Sequence, residues 1–404
     1  MLKKLWNADF SDYKYPNFKY VWILMATYIM IEGMLMPWPE TFFTYFEKWV
    51  AQYPSLAFFG QKVKGIPLGA LIIASILVVY LYWFVQFVER RAAKTIGTEK
   101  LRQIVVPHFL TIVLDLAVTF VFLLLIQYAV GVYIGKPFDI FNFVSLPKEG
   151  HVFQGLIDWY NSTFASIPTL IHLPFPIAFL VTIILADLPV YIFHYSIHWS
   201  RVLWLTIHRS HHTPEYLHPF GAGPVFAFAF IFLLPSFFLK LAISKLVYIE
   251  PILDGLVCLH VVVFILEKFS HSNPFYHVAF KNKFLYQLFH MFGSGPFHLA
   301  HHSAREGEEI VNLANLGFLF WDRVFGTYKK PDPEIPPVGL TNQPKIIMNP
   351  LRLYLSGFAT IFYELKHNSP KHWFKILFGS VYYTPPVTKD FLIVSYPEKM
   401  VATQ

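Results

Sequence analysis

The chain alternates between long apolar runs and short polar joints. The first run extends from Tyr20 to Trp38 and is interrupted by Glu32. The second, Leu68 to Val88, contains no charged residue, and the third, Val105 to Ile134, contains Asp115. A fourth covers Leu170 to Phe193, with Asp187 and Pro189 near its end. About 20 apolar residues in a helix cross a bilayer, so these four are expected to span. Two later runs, Phe220 to Leu239 with an internal Pro235 and Ile252 to Leu266, are expected either to cross or to form a re-entrant hairpin. From Pro331 onward the chain is polar, proline-rich and less regular, apart from an amphipathic stretch around Trp373 to Phe378 that suits a membrane interface. The pattern predicts an all-α protein: a multi-pass transmembrane helical bundle with a cytoplasmic cap. Its regions are an N-terminal transmembrane part (1–169), a histidine-rich part (170–330) and a C-terminal cytoplasmic or interfacial tail (331–404).

Composition supports a bilayer as solvent. Hydrophobic residues make up 55% of the chain and charged residues 14%, whereas soluble domains carry about 25% charge. The net charge of +7 fits a positive-inside excess. No run of Lys and Arg interleaved with aromatics points to nucleic acid. The single cysteine, Cys258, excludes an intramolecular disulfide framework and a cysteine-rich zinc or iron–sulfur site. The start, Met1-Leu2-Lys3-Lys4, leads into acidic and aromatic residues without a small-residue cleavage site, so the first span is expected to be retained.

Loop charges set the orientation. The joint from Glu89 to Arg102 carries Arg90, Arg91, Lys94, Lys100 and Arg102, which assigns it to the cytoplasm. Counting crossings from there, the N-terminus is cytoplasmic and the joint from Lys136 to Thr169 is outside. The chain from His194 onward then returns to the cytoplasmic side. If the fifth and sixth runs go out and back, His271 lands there too.

The chemistry lies in the histidines. Of 18 in the chain, 13 fall between His194 and His302. His194 and His198 stand at i, i+4 in HYSIH. His208, His211 and His212 stand at i, i+3, i+4 in HRSHH, and His298, His301 and His302 repeat that spacing in HLAHH. Residues three and four apart share a helix face, so such imidazoles can reach one metal or two neighbouring metals at about 2.0–2.1 Å. The adjacent pairs His211-His212 and His301-His302 diverge on a helix and can serve two ions. Eight imidazoles exceed the needs of one tetrahedral ion and suit a pair of ions with open positions for oxygen. His108, His151, His172, His260, His277, His290, His367 and His372 stand alone and are expected to be structural. Gly293-Ser294-Gly295 is expected to be a turn.

The order HYSIH, HRSHH, HLAHH resembles the fatty acid hydroxylase/sterol desaturase superfamily of integral membrane di-iron oxygenases. Asp187 and Tyr191 precede the first box in the family's D-x-x-x-Y-x-x-H lead-in. Trp321 to Thr327 (WDRVFGT) is similar to its W-D-x-x-F-G-T tail. The resemblance covers roughly residues 170 to 330. It implies metal ligation by His194, His198, His208, His211, His212, His298, His301 and His302. It adds His271, which follows the membrane hairpin, and His218, of the His218-Pro219 that follows the second box. Two positions depart from the family pattern: Tyr195 follows His194 where Arg is common, and Leu313 stands where many members have Asn, with Asn312 and Asn315 nearby.

The resemblance further implies two iron ions, oxygen as co-substrate, and hydroxylation or desaturation of a lipid C–H bond. The lipid would be a sterol, a fatty acyl chain or a related molecule. The active site would lie on the cytoplasmic face of a bacterial inner membrane or endoplasmic reticulum. Asp187 and Asp322 are candidates to accept ligand N–H groups, or else to cap helices or make structural hydrogen bonds. The sequence shows no haem, flavin or nucleotide-binding pattern, so electrons are expected from a separate cytochrome- or ferredoxin-type partner. The paired Glu and E-x-x-H motifs of carboxylate-bridged di-iron bundles are missing from the clusters. A zinc-dependent hydrolase or isomerase could use the same boxes. A membrane metal or lipid transporter is disfavoured because the boxes lie beyond the ends of the spans.

Overall fold

The computed structural model describes residues 2–15, 48, 50–63, 66–133, 162–163, 166–219, 242, 245–247, 265–266 and 268–395. The expected spans at 20–38 and 220–239, and most of that at 252–266, lie outside the described residues, as does most of the 136–169 joint.

The described chain is mostly helical. After a short helix α1 (Leu2–Asn7) come two long helices, α2 (Leu68–Ile96) and α3 (Thr98–Tyr133). A minimal antiparallel pair, β1 (Lys62–Val63) and β2 (Ile66–Pro67), precedes α2. Only Gly97 separates α2 from α3, so the expected basic loop is largely helix: Arg90, Arg91 and Lys94 occupy the last turns of α2. The Glu, Arg, Ala and Lys of this stretch are strong helix formers, which outweighs their polarity. The two helices fold onto each other through Phe84, Val85, Val88 and Ala92 of α2 and Leu101, Ile104, Val105 and Phe109 of α3.

The fourth apolar run forms α4 (Phe175–Trp199). Thr98–Thr119 within α3 and Pro176–Trp199 within α4 are long and apolar enough to cross a membrane. Each long helix leaves large apolar side chains exposed at helical spacing. These are Ile76, Val79, Trp83 and Phe87 on α2; Leu110, Val113, Val121, Leu125 and Tyr128 on α3; and Ile177, Leu180, Ile192, Tyr195 and Trp199 on α4.

Short helices then surround the end of α4: α5 (Asn273–Lys281), α6 (Lys283–Met291), α7 (Pro296–His301) and α8 (Phe320–Phe325). Buried Phe289, Phe297, Leu313, Ala314 and Leu319 pack them together with Tyr191 of α4.

The C-terminal region is more ordered than its composition suggests. Asn349 caps α9 (Pro350–His367) by accepting from the Leu351 and Arg352 amides, with Pro350 at the first helical position. Helix α10 (Pro370–Phe378) follows, and β3 (Lys345–Ile346) pairs with β4 (Ile393–Ser395). Helix α9 packs on α3 and on the turn at Trp204–His208. Its approach is so close that a Cβ at Gly357 would fall on the Leu205 carbonyl. The Asn349 side chain also donates to the Leu5 and Ala8 carbonyls at 2.6 and 2.8 Å, tying α1 to this region.

Candidate metal centre

The first box sits in the last turns of α4, where the His194 and His198 rings lie side by side, centroids 5.2 Å apart and tilted by 56°. The second is not a regular helix. His208 closes a wide turn over Trp204–His208, and His211 and His212 lie in a tight turn over Arg209–His212. The third occupies α7 and the residue after it. The turn before α7 depends on two glycines. Gly293 and Gly295 both have φ of +55°, and a Cβ on Gly295 would lie 2.7 Å from the Phe289 ring. The expected turn at 293–295 is therefore present.

These elements bring nine imidazoles together. His194, His198, His208 and His301 form one set whose ligand atoms all lie within 4.8 Å of one another. His211, His271, His298 and His302 form a second set, and His212 groups with His301 and His302 between them. His212 and His302 stack with ring centroids 4.2 Å apart, and His194 and His301 meet edge-on at 4.6 Å. The three-apart pairs split between the sets: His208 and His301 serve the first, His211 and His298 the second. The adjacent pair His301-His302 divides in the same way, as its divergence predicts. His271, distant in sequence, completes the second set.

The donor atoms fit cations better than they fit one another. In the second set the Nε2 atoms of His211 and His271 lie 3.2 Å apart, those of His271 and His298 3.1 Å, and those of His298 and His302 3.2 Å. An imidazole nitrogen is either an N–H donor or a single lone pair. His271 and His298 each face two such neighbours, so hydrogen bonding cannot satisfy the whole chain of contacts. Metal–nitrogen bonds of about 2.1 Å at right angles would put neighbouring donors about 3.0 Å apart. In the first set, Nε2 of His198 and of His301 are buried without a hydrogen-bond partner. The residues present therefore fit a metal centre.

Burial also keeps these rings neutral, as ligands must be. Desolvation, and then neighbouring imidazoles, hold His208, His212, His271, His298, His301 and His302 well below the usual histidine range. His218 is fully buried, and desolvation pushes it down to about 3, but it belongs to neither set. Nor do His108, His172, His277, His290, His367 or His372, while His151 and His260 lie outside the described residues. His108 is a structural link from α3 to the second box, bonding the Ile104 carbonyl and the Thr213 hydroxyl, each at 2.7 Å.

Ring orientation comes from backbone carbonyls. His194 Nδ1 donates to the Leu313 carbonyl at 2.8 Å and His301 Nδ1 to the Val311 carbonyl at 2.9 Å. A carbonyl can only accept, so each Nδ1 carries the proton and leaves the Nε2 lone pair for the centre. The two candidate aspartates act one step further out. Asp322 accepts from the Leu313 and Ala314 amides, both at 2.8 Å, and from the Thr327 hydroxyl at 2.7 Å. Asp187 accepts from the Asn315 and Leu316 amides at 3.1 and 3.2 Å. Of the two roles open to them in the sequence, these bonds are structural ones. Asn312 is a further residue that sequence reasoning passed over. It is buried with φ of +53°, donates to the Phe297 and Lys329 carbonyls and accepts from the Lys329 amide. Its only sequence signal was its place beside Leu313, where the family favours Asn.

Fold and site together define a helical domain whose histidine-lined centre can hold metal, built at the end of a helix of membrane-spanning length. Residues 179–327 match the model of the fatty acid hydroxylase family, and the chain carries a domain of that family. Neither the curated proteins nor the solved structures gave a match.

Proposed function

We propose that the protein is a multi-pass membrane enzyme that uses two iron ions and oxygen to hydroxylate or desaturate a C–H bond of a lipid. The observation that carries this reading is the convergence of nine imidazoles, eight of them in two four-histidine sets, inside a fatty acid hydroxylase domain. The family supports an oxidoreductase acting on lipid, and an all-imidazole donor set suits iron with open positions.

His194, His198, His208 and His301 would hold one ion, and His211, His271, His298 and His302 the other, with His212 between them. The iron pair, once bound and reduced, supplies the oxygen activation that a lipid C–H bond requires. The chain's own residues do the rest. The carbonyls at Val311 and Leu313 hold the Nδ1 protons of His301 and His194, so their Nε2 lone pairs face inward. Burial excludes water and keeps the imidazoles neutral. Helix α4 sets the first box at the end of a bilayer-length segment, where a lipid with its tail in the membrane can present one carbon.

The exposed apolar stripes of α2, α3 and α4 support a lipid-facing role. Pro107 and Pro189 inside α3 and α4 fit this environment, since membrane helices tolerate proline. The basic end of α2 supports a cytoplasmic location for the histidine boxes, where a cytochrome- or ferredoxin-type donor would deliver electrons. Helix α10 buries Ile376 and leaves Phe374 and Phe378 exposed beside Lys371 and Lys375, a pattern suited to lying in the membrane interface. It sits next to the end of α4, since the Val381 amide donates to the Trp199 carbonyl at 2.8 Å.

Lipid mass spectrometry of cells with and without the chain tests the reading. We expect a lipid that gains one oxygen or loses two hydrogens, and we expect His211→Ala and His301→Ala each to abolish the change. Full activity in both variants would overturn the ligand assignment.

A further inference from the structure

The segment from Glu309 to Leu316 has no regular secondary structure and no ligand of its own, yet it holds two of the four rings in one set. Alternate residues supply the contacts: Val311 to His301 and Leu313 to His194. The same segment is fastened from behind. Asp322, fully buried, takes the Leu313 and Ala314 amides on separate oxygens, and Asp187 takes the next two amides. The Asn312 amide donates to the Thr327 carbonyl at 3.0 Å. Gly293, in the turn before the third box, lies so close that a Cβ there would fall on the Ala314 carbonyl. The segment is thus clamped between α4, α8 and the turn leading into α7.

We infer that residues 309–316 form a positioning strap, anchored by Asp322 and Asp187, that fixes two rings of the His194/His198/His208/His301 set, so that weakening the anchor empties this metal set before the other. The inference rests on the metal-centre reading above, but not on which metal binds or which lipid reacts. The strap sets the tautomer and tilt of two rings at once, and partners of this kind typically change metal affinity by about 10–100-fold. Asp322 touches no ligand directly; it acts through the two amides that precede and follow the Leu313 carbonyl. The stretch from Trp321 to Thr327 thereby gains a physical role, because Asp322 holds the strap and Thr327 holds both Asp322 and Asn312.

Metal binding by the purified full-length chain, titrated with Co(II) and followed by absorption and by metal analysis, tests the inference. We expect the unaltered chain to hold two equivalents. Asp322→Asn cannot accept both amides. It should keep one tight equivalent and bind the second at least tenfold more weakly. Adding His198→Ala to Asp322→Asn should leave the tight equivalent in place, whereas adding His271→Ala should remove it. Thr327→Val should weaken the same equivalent to a smaller degree, and it carries the test if Asp322→Asn does not fold. A folded variant that binds both equivalents like the unaltered chain overturns the inference. So does equal loss of both, or an unaltered chain with fewer than two sites. An unaltered chain that binds two ions but oxidises no lipid contradicts the proposed function and leaves the strap standing.

Discussion

A buried charge pair supports the second box from outside the metal centre. Arg201, two residues after α4 ends, donates to both carboxylate oxygens of Glu364 in α9, at 2.7 and 2.6 Å, and Glu364 has no exposed surface. Such a pair is costly to break from one side, because the survivor is left as an unpaired buried charge. We predict that Glu364→Ala destabilises the chain by about 3–5 kcal/mol. The double change Arg201→Met with Glu364→Leu should recover much of that loss. Thermal denaturation of both variants in the same detergent checks this, and a double variant no better than the single one contradicts it. The buried imidazoles make a second prediction. His208, His212 and His302 are held well below the usual range, while an unfolded imidazole titrates near about 6.5. The unfolded chain therefore takes up protons that the folded chain refuses. Stability of the metal-free chain should be fully present above pH of about 6.5 and fall as the pH drops toward the lowered folded values. Denaturation midpoints at two pH values on either side of that point test the sign.

At the scale of elements, α9 is a brace for the second box. The Gly357→Ala methyl would collide with the backbone at Leu205 and lie 2.9 Å from the Thr206 nitrogen, so the helix must move away from the turn that carries His208. We expect a loss of stability of about 1–3 kcal/mol, the range seen for overpacked sites, together with reduced metal retention. A melting curve like that of the unaltered chain would show that the helix is free to shift. The proposed interfacial seat of α10 has its own test. Cys258 is the only cysteine, so Phe374→Cys in a Cys258→Ser background takes a single spin label. The label should be relaxed by lipid-soluble oxygen more than by an aqueous nickel complex. The reverse order would place α10 in water. Helix α9 was hard to read because its polar surroundings, Pro331 to Asn349, mask one strongly capped amphipathic segment. The histidine boxes were legible because ligand spacing is carried by side-chain identity. The strap was not, since it acts through carbonyls that any residue possesses, and only the similarity of WDRVFGT to a family tail marked its anchor.

Across the whole molecule, the alternation of apolar runs and polar joints predicted the long helices. Apolar length is a one-dimensional property, so α2, α3 and α4 fall close to where the runs lie. The pattern did not show that the second box abandons regular helix, since that depends on α9 pressing against Leu205. Nor did it show how the histidines divide between two sets, which follows from where α4, α7 and the Ser270–Ser272 segment meet. A metal pair bound there would link these distant segments, so chelation should lower the melting temperature of the whole chain, and restoring metal should raise it in proportion to ln(1 + [L]/Kd). The most direct test of the account is the metal content of the chain purified from iron-supplied membranes. About two iron ions per chain are expected, with the loss of at least one in His271→Ala. A chain that carries zinc in place of iron, or no stoichiometric metal at all, would contradict it.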